Sequence, residues 1–161
     1  MITHPIAPVF DENSKILILG SFPSVKSREE MFFYGHPQNR FWQVLANVFD
    51  DALPVTVNEK REFLLTHGVA VWDVIASCDI VGSSDASIQN AKPNDIEKIL
   101  SVSDIKAIFV GGKTAEKYYN KYLKDRVHRK AILLPSTSPA NAKFTLNNLV
   151  KIWKEQIFIY K

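Results

Sequence analysis

The sequence predicts an α/β fold, a three-layer α/β/α sandwich around a central, mainly parallel four-stranded sheet. Three observations carry that expectation. Four short runs are almost wholly apolar, as strands covered on both faces must be. Segments with helical spacing lie between and after them, which implies parallel pairing through right-handed crossovers. With 161 residues, 46% of them hydrophobic and including ten Phe, five Tyr and three Trp, the chain suits one domain, 1–161, with a substantial core.

The elements follow in order. Residues 15–20 form the first strand, with 16–19 as its apolar centre. Residues 40–49 set Phe41, Leu45, Val48 and Phe49 at helical spacing. Residues 69–74 are the second strand, and 93–100 read as a helix with Pro93 in its first turn. Residues 106–111 are the third strand, followed by a Lys/Tyr-rich helix over 114–123. Residues 130–134 are the fourth. A last helix over 141–157 aligns Leu146, Leu149, Val150, Trp153 and Ile157 as one apolar stripe. Ser138 is expected to cap it, with Pro139 in its first turn.

Several function classes are disfavoured at once. The longest apolar runs fall far short of the roughly 20 residues that span a membrane. The amino terminus lacks the basic start and apolar stretch of a signal peptide, so a cytoplasmic location is expected. The single cysteine, Cys78, gives neither a disulfide framework nor a CxxC metal site. Histidines 4, 36, 67 and 128 show no metal-ligand spacing, and no cofactor is expected. Gly111-Gly112-Lys113-Thr114 echoes the end of a phosphate-binding loop, but position 107 is alanine where that loop needs glycine. Neither GxGxxG nor GxSxG occurs after a strand.

Charge is uneven. Residues 113–161 hold 11 Lys/Arg against 3 Asp/Glu, whereas 1–112 hold 9 against 14. A basic carboxy-terminal third suits a polyanion, because Lys and Arg release condensed counterions from phosphates.

In sheets of this kind ligands bind beyond the carboxyl ends of the strands, so the loops there are the place to look. The first is Gly20-Ser21-Phe22-Pro23-Ser24, where glycine permits close backbone approach and Pro23 fixes the turn. The second runs Phe32-Phe33-Tyr34-Gly35-His36-Pro37-Gln38-Asn39-Arg40-Phe41-Trp42, aromatic groups ahead of a Gly-His-Pro bend and then an amide. The third is Leu134-Pro135-Ser136-Thr137-Ser138-Pro139-Ala140-Asn141, hydroxyl-rich and, as the opening of a helix, a natural phosphate seat.

On these residues the chain resembles the uracil-DNA glycosylase superfamily, and most closely its hypoxanthine-DNA (deoxyinosine) glycosylase branch. The Phe32–Trp42 string is similar to that of mismatch-specific uracil and thymine glycosylases. The first and third loops occupy the places of the superfamily's two motifs, and residues 68–78 and 82–88 also look like the hypoxanthine branch. The similarity spans residues 14–157. It implies a monofunctional DNA glycosylase of base excision repair, hydrolysing the N-glycosidic bond of deaminated bases, with hypoxanthine favoured and uracil or xanthine as further substrates.

The chain departs from the pattern at two places. Phe22 stands where the first motif usually carries Asp or Asn, and Leu134 where the second often begins with His or Asn. The resemblance then assigns the catalytic amide to Asn39, whose paired donor and acceptor could complement hypoxanthine. It places Gly20, Ser21, Phe22, Tyr34 and Gly35 at the base, with Phe22 or Tyr34 stacking on it. It places Ser24, Ser136, Thr137, Ser138 and Lys143 on DNA. The site is expected to be poor in carboxylates, with the role of Asp73 open. No lysine stands ready as a Schiff-base nucleophile, so no lyase step is expected. The implied partner is double-stranded DNA with a damaged base, bound by a monomer without membrane contact. The alternative class is a non-catalytic α/β module for nucleotides or nucleic acid, which has no need of the second loop's rigid sequence.

Overall fold

The computed structural model describes residues 1–160. In chain order the elements are β1 (Ile2–Thr3), β2 (Ile16–Gly20), α1 (Val25–Glu30), α2 (Phe41–Val48), α3 (Val57–Thr66), β3 (Val69–Asp73) and β4 (Ile75–Asp79). There follow β5 (Gln89–Pro93), α4 (Glu97–Leu100), β6 (Ala107–Gly111), α5 (Lys113–Tyr122), α6 (Lys124–Val127), β7 (Ile132–Leu134) and α7 (Leu146–Ile157).

The four apolar runs pair as expected, into a parallel sheet of order β3-β2-β6-β7 flanked by helices. Ile16, Leu17, Ile18 and Leu19 of the central β2 have no exposed surface, which explains why the strand shows no polar alternation. Register brings Gly20 beside Asp73 and Gly111 beside Leu134, so the carboxyl ends of all four strands open onto one edge. α2 buries Phe41, Trp42, Leu45 and Val48 and packs on α7, whose Leu149, Trp153 and Ile157 face inward.

A second, antiparallel sheet of order β1-β4-β5, which the sequence did not announce, sits beside the first. Two expectations are corrected. Pro93 is no helix start: it closes β5 opposite Ile75, a strand-end place where a missing N–H does no harm, and the helix begins at Glu97. The last helix begins at Leu146, not near Asn141. Its cap is Thr145, which accepts the Asn148 N–H at 3.1 Å while Asn148 accepts the Thr145 N–H. Ser138 therefore caps no helix. No helix among the described residues is long and apolar enough to cross a membrane.

Candidate active site

A cavity of about 530 Å³ opens at the carboxyl edge of the parallel sheet, within the roughly 300–1,000 Å³ of typical ligand sites. Gly20, Ser21, Phe22, Ser24, Tyr34, Asn39, Ser136, Thr137 and Ser138 all line it. Gly35 and Lys143 do not.

The first loop is shaped by what must fit beside it. A Cβ on Gly20 would lie 2.5 Å from Asp73 Oδ1 and 3.3 Å from the Tyr34 hydroxyl, so only glycine leaves these groups their places. The Ser21 hydroxyl donates to Asp85 Oδ1 at 3.0 Å. Ser24 caps α1 by accepting the Ser27 N–H. Phe22 is buried, edge-on to His4, with the Arg28 guanidinium 5.7 Å from its ring centre.

In the second loop Tyr34 adopts a left-handed backbone, φ +53°, and stacks on Phe41 with ring centres 3.7 Å apart. That contact uses one ring face and points the hydroxyl toward Gly20 and Asp73. Burial first, and the Asp73 charge second, hold the phenol pKa far above its usual value, so it remains a neutral O–H. Gly35 turns away: its N–H donates to Ser27 Oγ at 2.9 Å, and a Cβ there would meet Glu30.

Asn39 is the hinge between the second and third loops. Its Oδ1 accepts both the Phe41 N–H, at 2.9 Å, and the Thr137 hydroxyl, at 2.8 Å. Two donors fix which end of the amide is oxygen. The Nδ2 group has no hydrogen-bond partner among the described residues and is what Asn39 offers to the cavity. The expected paired donor and acceptor is thus corrected to a donor alone.

The third loop is not a helix start but a set of turns held from within. The Arg40 guanidinium donates to the carbonyls of Ser138 and Asn141, each at 3.1 Å, and of Phe144. The Arg40 N–H reaches the Thr137 carbonyl, and Asn141 Nδ2 the Ser136 carbonyl. Ser136 and Ser138 accept N–H groups two residues ahead, so these hydroxyls brace the loop. Lys143 is exposed beside it, its ammonium 5.8 Å from the Phe144 ring.

The expectation of few carboxylates is overturned, because two enter the cavity wall. Asp85 comes from a short 3-10 turn, Asp85–Ser87, at the rim. Partial withdrawal from water raises its pKa above the usual carboxylate range, the Ser21 hydroxyl opposes that rise, and the Asp73 charge adds to it. Asp73 is buried, and its Oδ2 is 2.8 Å from His4 Nε2. The Ile6 N–H donates to His4 Nδ1, so the ring proton sits on Nε2 and is given to Asp73. Placement of Asp73 at a strand end was a usable signal. His4, 69 residues away, gave none, and neither did Asp85. Among the described residues no three His, Cys, Asp or Glu side chains gather where a metal ion could sit.

Comparison with known proteins bears on the family and the fold. The family model described as the uracil DNA glycosylase superfamily matches residues 7–156. A protein described as a hypoxanthine DNA glycosylase, from Methanosarcina acetivorans, is 33% identical over 149 residues, 91% of this chain and 93% of its own. A second of that description, from Methanosarcina barkeri, is 31% identical over 150 residues, covering 92% and 93%. The solution NMR structure of a candidate uracil DNA glycosylase from M. acetivorans is similar with a TM-score of 0.79 at 28% identity, over 96% of this chain and 98% of that one.

Proposed function

The chain belongs to the uracil DNA glycosylase superfamily, and we propose that it is a monofunctional glycosylase releasing hypoxanthine, with xanthine and uracil as further substrates, from double-stranded DNA in the cytoplasm. The observation that carries the reading is the locked Asn39 amide, with its oxygen satisfied and its Nδ2 group turned to the cavity. Deamination replaces an exocyclic amine by a carbonyl. A fixed N–H donor pairs with that carbonyl and confronts adenine with another donor, where an unpaired buried group costs about 1–3 kcal/mol.

The base must leave the duplex to reach such a cavity. Its departure leaves an oxocarbenium-like sugar and puts negative charge on the base, which the Asn39 donor and the neutral Tyr34 hydroxyl are placed to receive. Phe22 and the free face of Tyr34 are the candidate stacking surfaces. No lysine among the described residues lines the cavity, which supports hydrolysis without a Schiff base.

The test uses duplexes carrying hypoxanthine, xanthine, uracil or thymine, with abasic sites revealed by alkali. Release of hypoxanthine, with strands intact until alkali is added, is the expected result. Strand cleavage without alkali would contradict the monofunctional reading, and release of thymine alone would contradict the base assignment.

A further inference from the structure

Asp73 is a carboxylate where burial is costly, yet only one of its oxygens is satisfied. Oδ2 takes the His4 proton, while Oδ1 has no protein donor among the described residues and faces the cavity beside Gly20. A buried carboxylate kept for stability alone would have both oxygens bonded.

The surroundings hold Asp73 from every side. The Val74 N–H donates to the Gly20 carbonyl and the Ile75 N–H to the Ser21 carbonyl, tying the end of β3 to the first loop. Buried Asn94 donates to the carbonyls of Asp73 and Ile75, at 2.9 and 3.1 Å. The His4 ring is enclosed by Phe22, Phe33 and Trp72, with ring centres 5.7–6.3 Å away, so it cannot swing. The segment carrying it is anchored where the His4 N–H meets the Ala76 carbonyl and Val9 pairs with Val71. Such a rigid seat for one free oxygen is what an aimed base requires.

We propose that Asp73 is a catalytic carboxylate, receiving through Oδ1 the proton of the water that attacks the sugar, and that His4 is the positioning residue that aims it. The inference rests on the glycosylase reading above. In the step, a lone pair of the water oxygen forms the new bond to C1′ while the C1′–N bond breaks and its electron pair leaves with the base. One water proton passes to Asp73 Oδ1 and the other stays on the new C1′ hydroxyl. The departing base ends protonated on nitrogen, by the proton returned from Asp73 or by one from solvent, so the sum is hydrolysis. Water thus has a basic partner on the Asp73 side, and the base has donors on the Asn39 side.

The experiment is single-turnover excision of hypoxanthine from duplex DNA by the full chain, with melting temperature and affinity for an abasic-site duplex measured alongside. Asp73→Asn should melt and bind as the wild type while the rate falls about a hundredfold or more, the range of a lost general base. Formate should restore about tenfold to Asp73→Ala by filling the vacated space, a recovery that a purely structural role would not show. His4→Phe should lower the rate about tenfold without changing duplex affinity, and His4→Gln, which keeps an N–H donor, should recover most of it. An Asp73→Asn rate within about threefold of wild type would overturn the assignment while leaving the glycosylase reading intact. Loss of duplex binding by both Asp73 variants, with no response to formate, would overturn it in favour of a structural role. Wild-type protein that released none of the four bases would overturn both.

Discussion

Thr137 donates its hydroxyl to the amide oxygen of Asn39 at 2.8 Å, across 98 residues of sequence, and so decides which end of that amide the cavity meets. Thr137 is itself buried, which leaves its hydroxyl no other use. Thr137→Val keeps the shape and removes the donor. Excision should fall about tenfold, or 1.4 kcal/mol of barrier, with Thr137→Ser close to wild type. Single-turnover rates of the two variants check this, and equal losses in both would show that the methyl group mattered instead.

Asn39 also braces the start of α2 through the Phe41 N–H, so alanine cannot separate folding from chemistry. Serine can accept that N–H but offers no Nδ2 donor. Asn39→Ser should melt near the wild type and bind duplex normally while excision drops about a hundredfold, roughly 2.7 kcal/mol. Near-normal release of hypoxanthine would remove Asn39 from the reaction.

Arg40 spends its charge on backbone carbonyls of the third loop, with no carboxylate partner among the described residues. Arg40→Ala should lower stability by about 1.5–3 kcal/mol, the usual worth of hydrogen bonds to a charged group. It should also raise hydrogen exchange in residues 138–144. Unchanged exchange there would mean that the turns hold themselves.

Lys143 lies outside the cavity but beside that loop, as a phosphate contact would. Lys143→Gln should weaken all duplexes alike and reduce the slope of log affinity against log salt by about 1. A titration at several salt concentrations decides, and an unchanged slope would assign the side chain to open solvent.

Asp85 allows a linkage test with a definite sign. Its pKa is higher in the folded chain than in the unfolded one, so the native state holds this proton more tightly. Ionised Asp85 therefore costs stability above its raised pKa, and the cost vanishes below the usual carboxylate range. Asp85→Asn should raise the melting temperature near neutral pH and leave it unchanged in acid below that range. Calorimetry at the two pH values checks it; a gain that persisted in acid would place its origin elsewhere.

The four parallel strands were legible because strands covered on both faces leave no room for polar residues, and Ile16 to Leu19 obey that strictly. The second sheet was not, because Gln89–Pro93 is mostly polar and half open to water, and Ile2–Thr3 is two residues long. The start of α7 was misplaced because Ser138-Pro139 imitates a cap followed by a first-turn proline, whereas the true cap pairs Thr145 with an ordinary Asn148. That the three loops would line a cavity at the strand ends was legible from the strand-end rule. What they contain beyond that was not, since His4 reaches Asp73 only through the β1–β4 pairing, which no periodicity announces.

The last strand and helix complete the cavity: β7 leads into Thr137, and Trp153 of α7 donates to the Pro135 carbonyl at 3.0 Å. On the ribosome, then, a nascent chain carries Asn39 for 98 residues before the Thr137 hydroxyl that sets it exists. The strands β2, β3 and β6 can pair while the amide is still unlocked, and the cavity is complete only once β7 and α7 have been made and have docked.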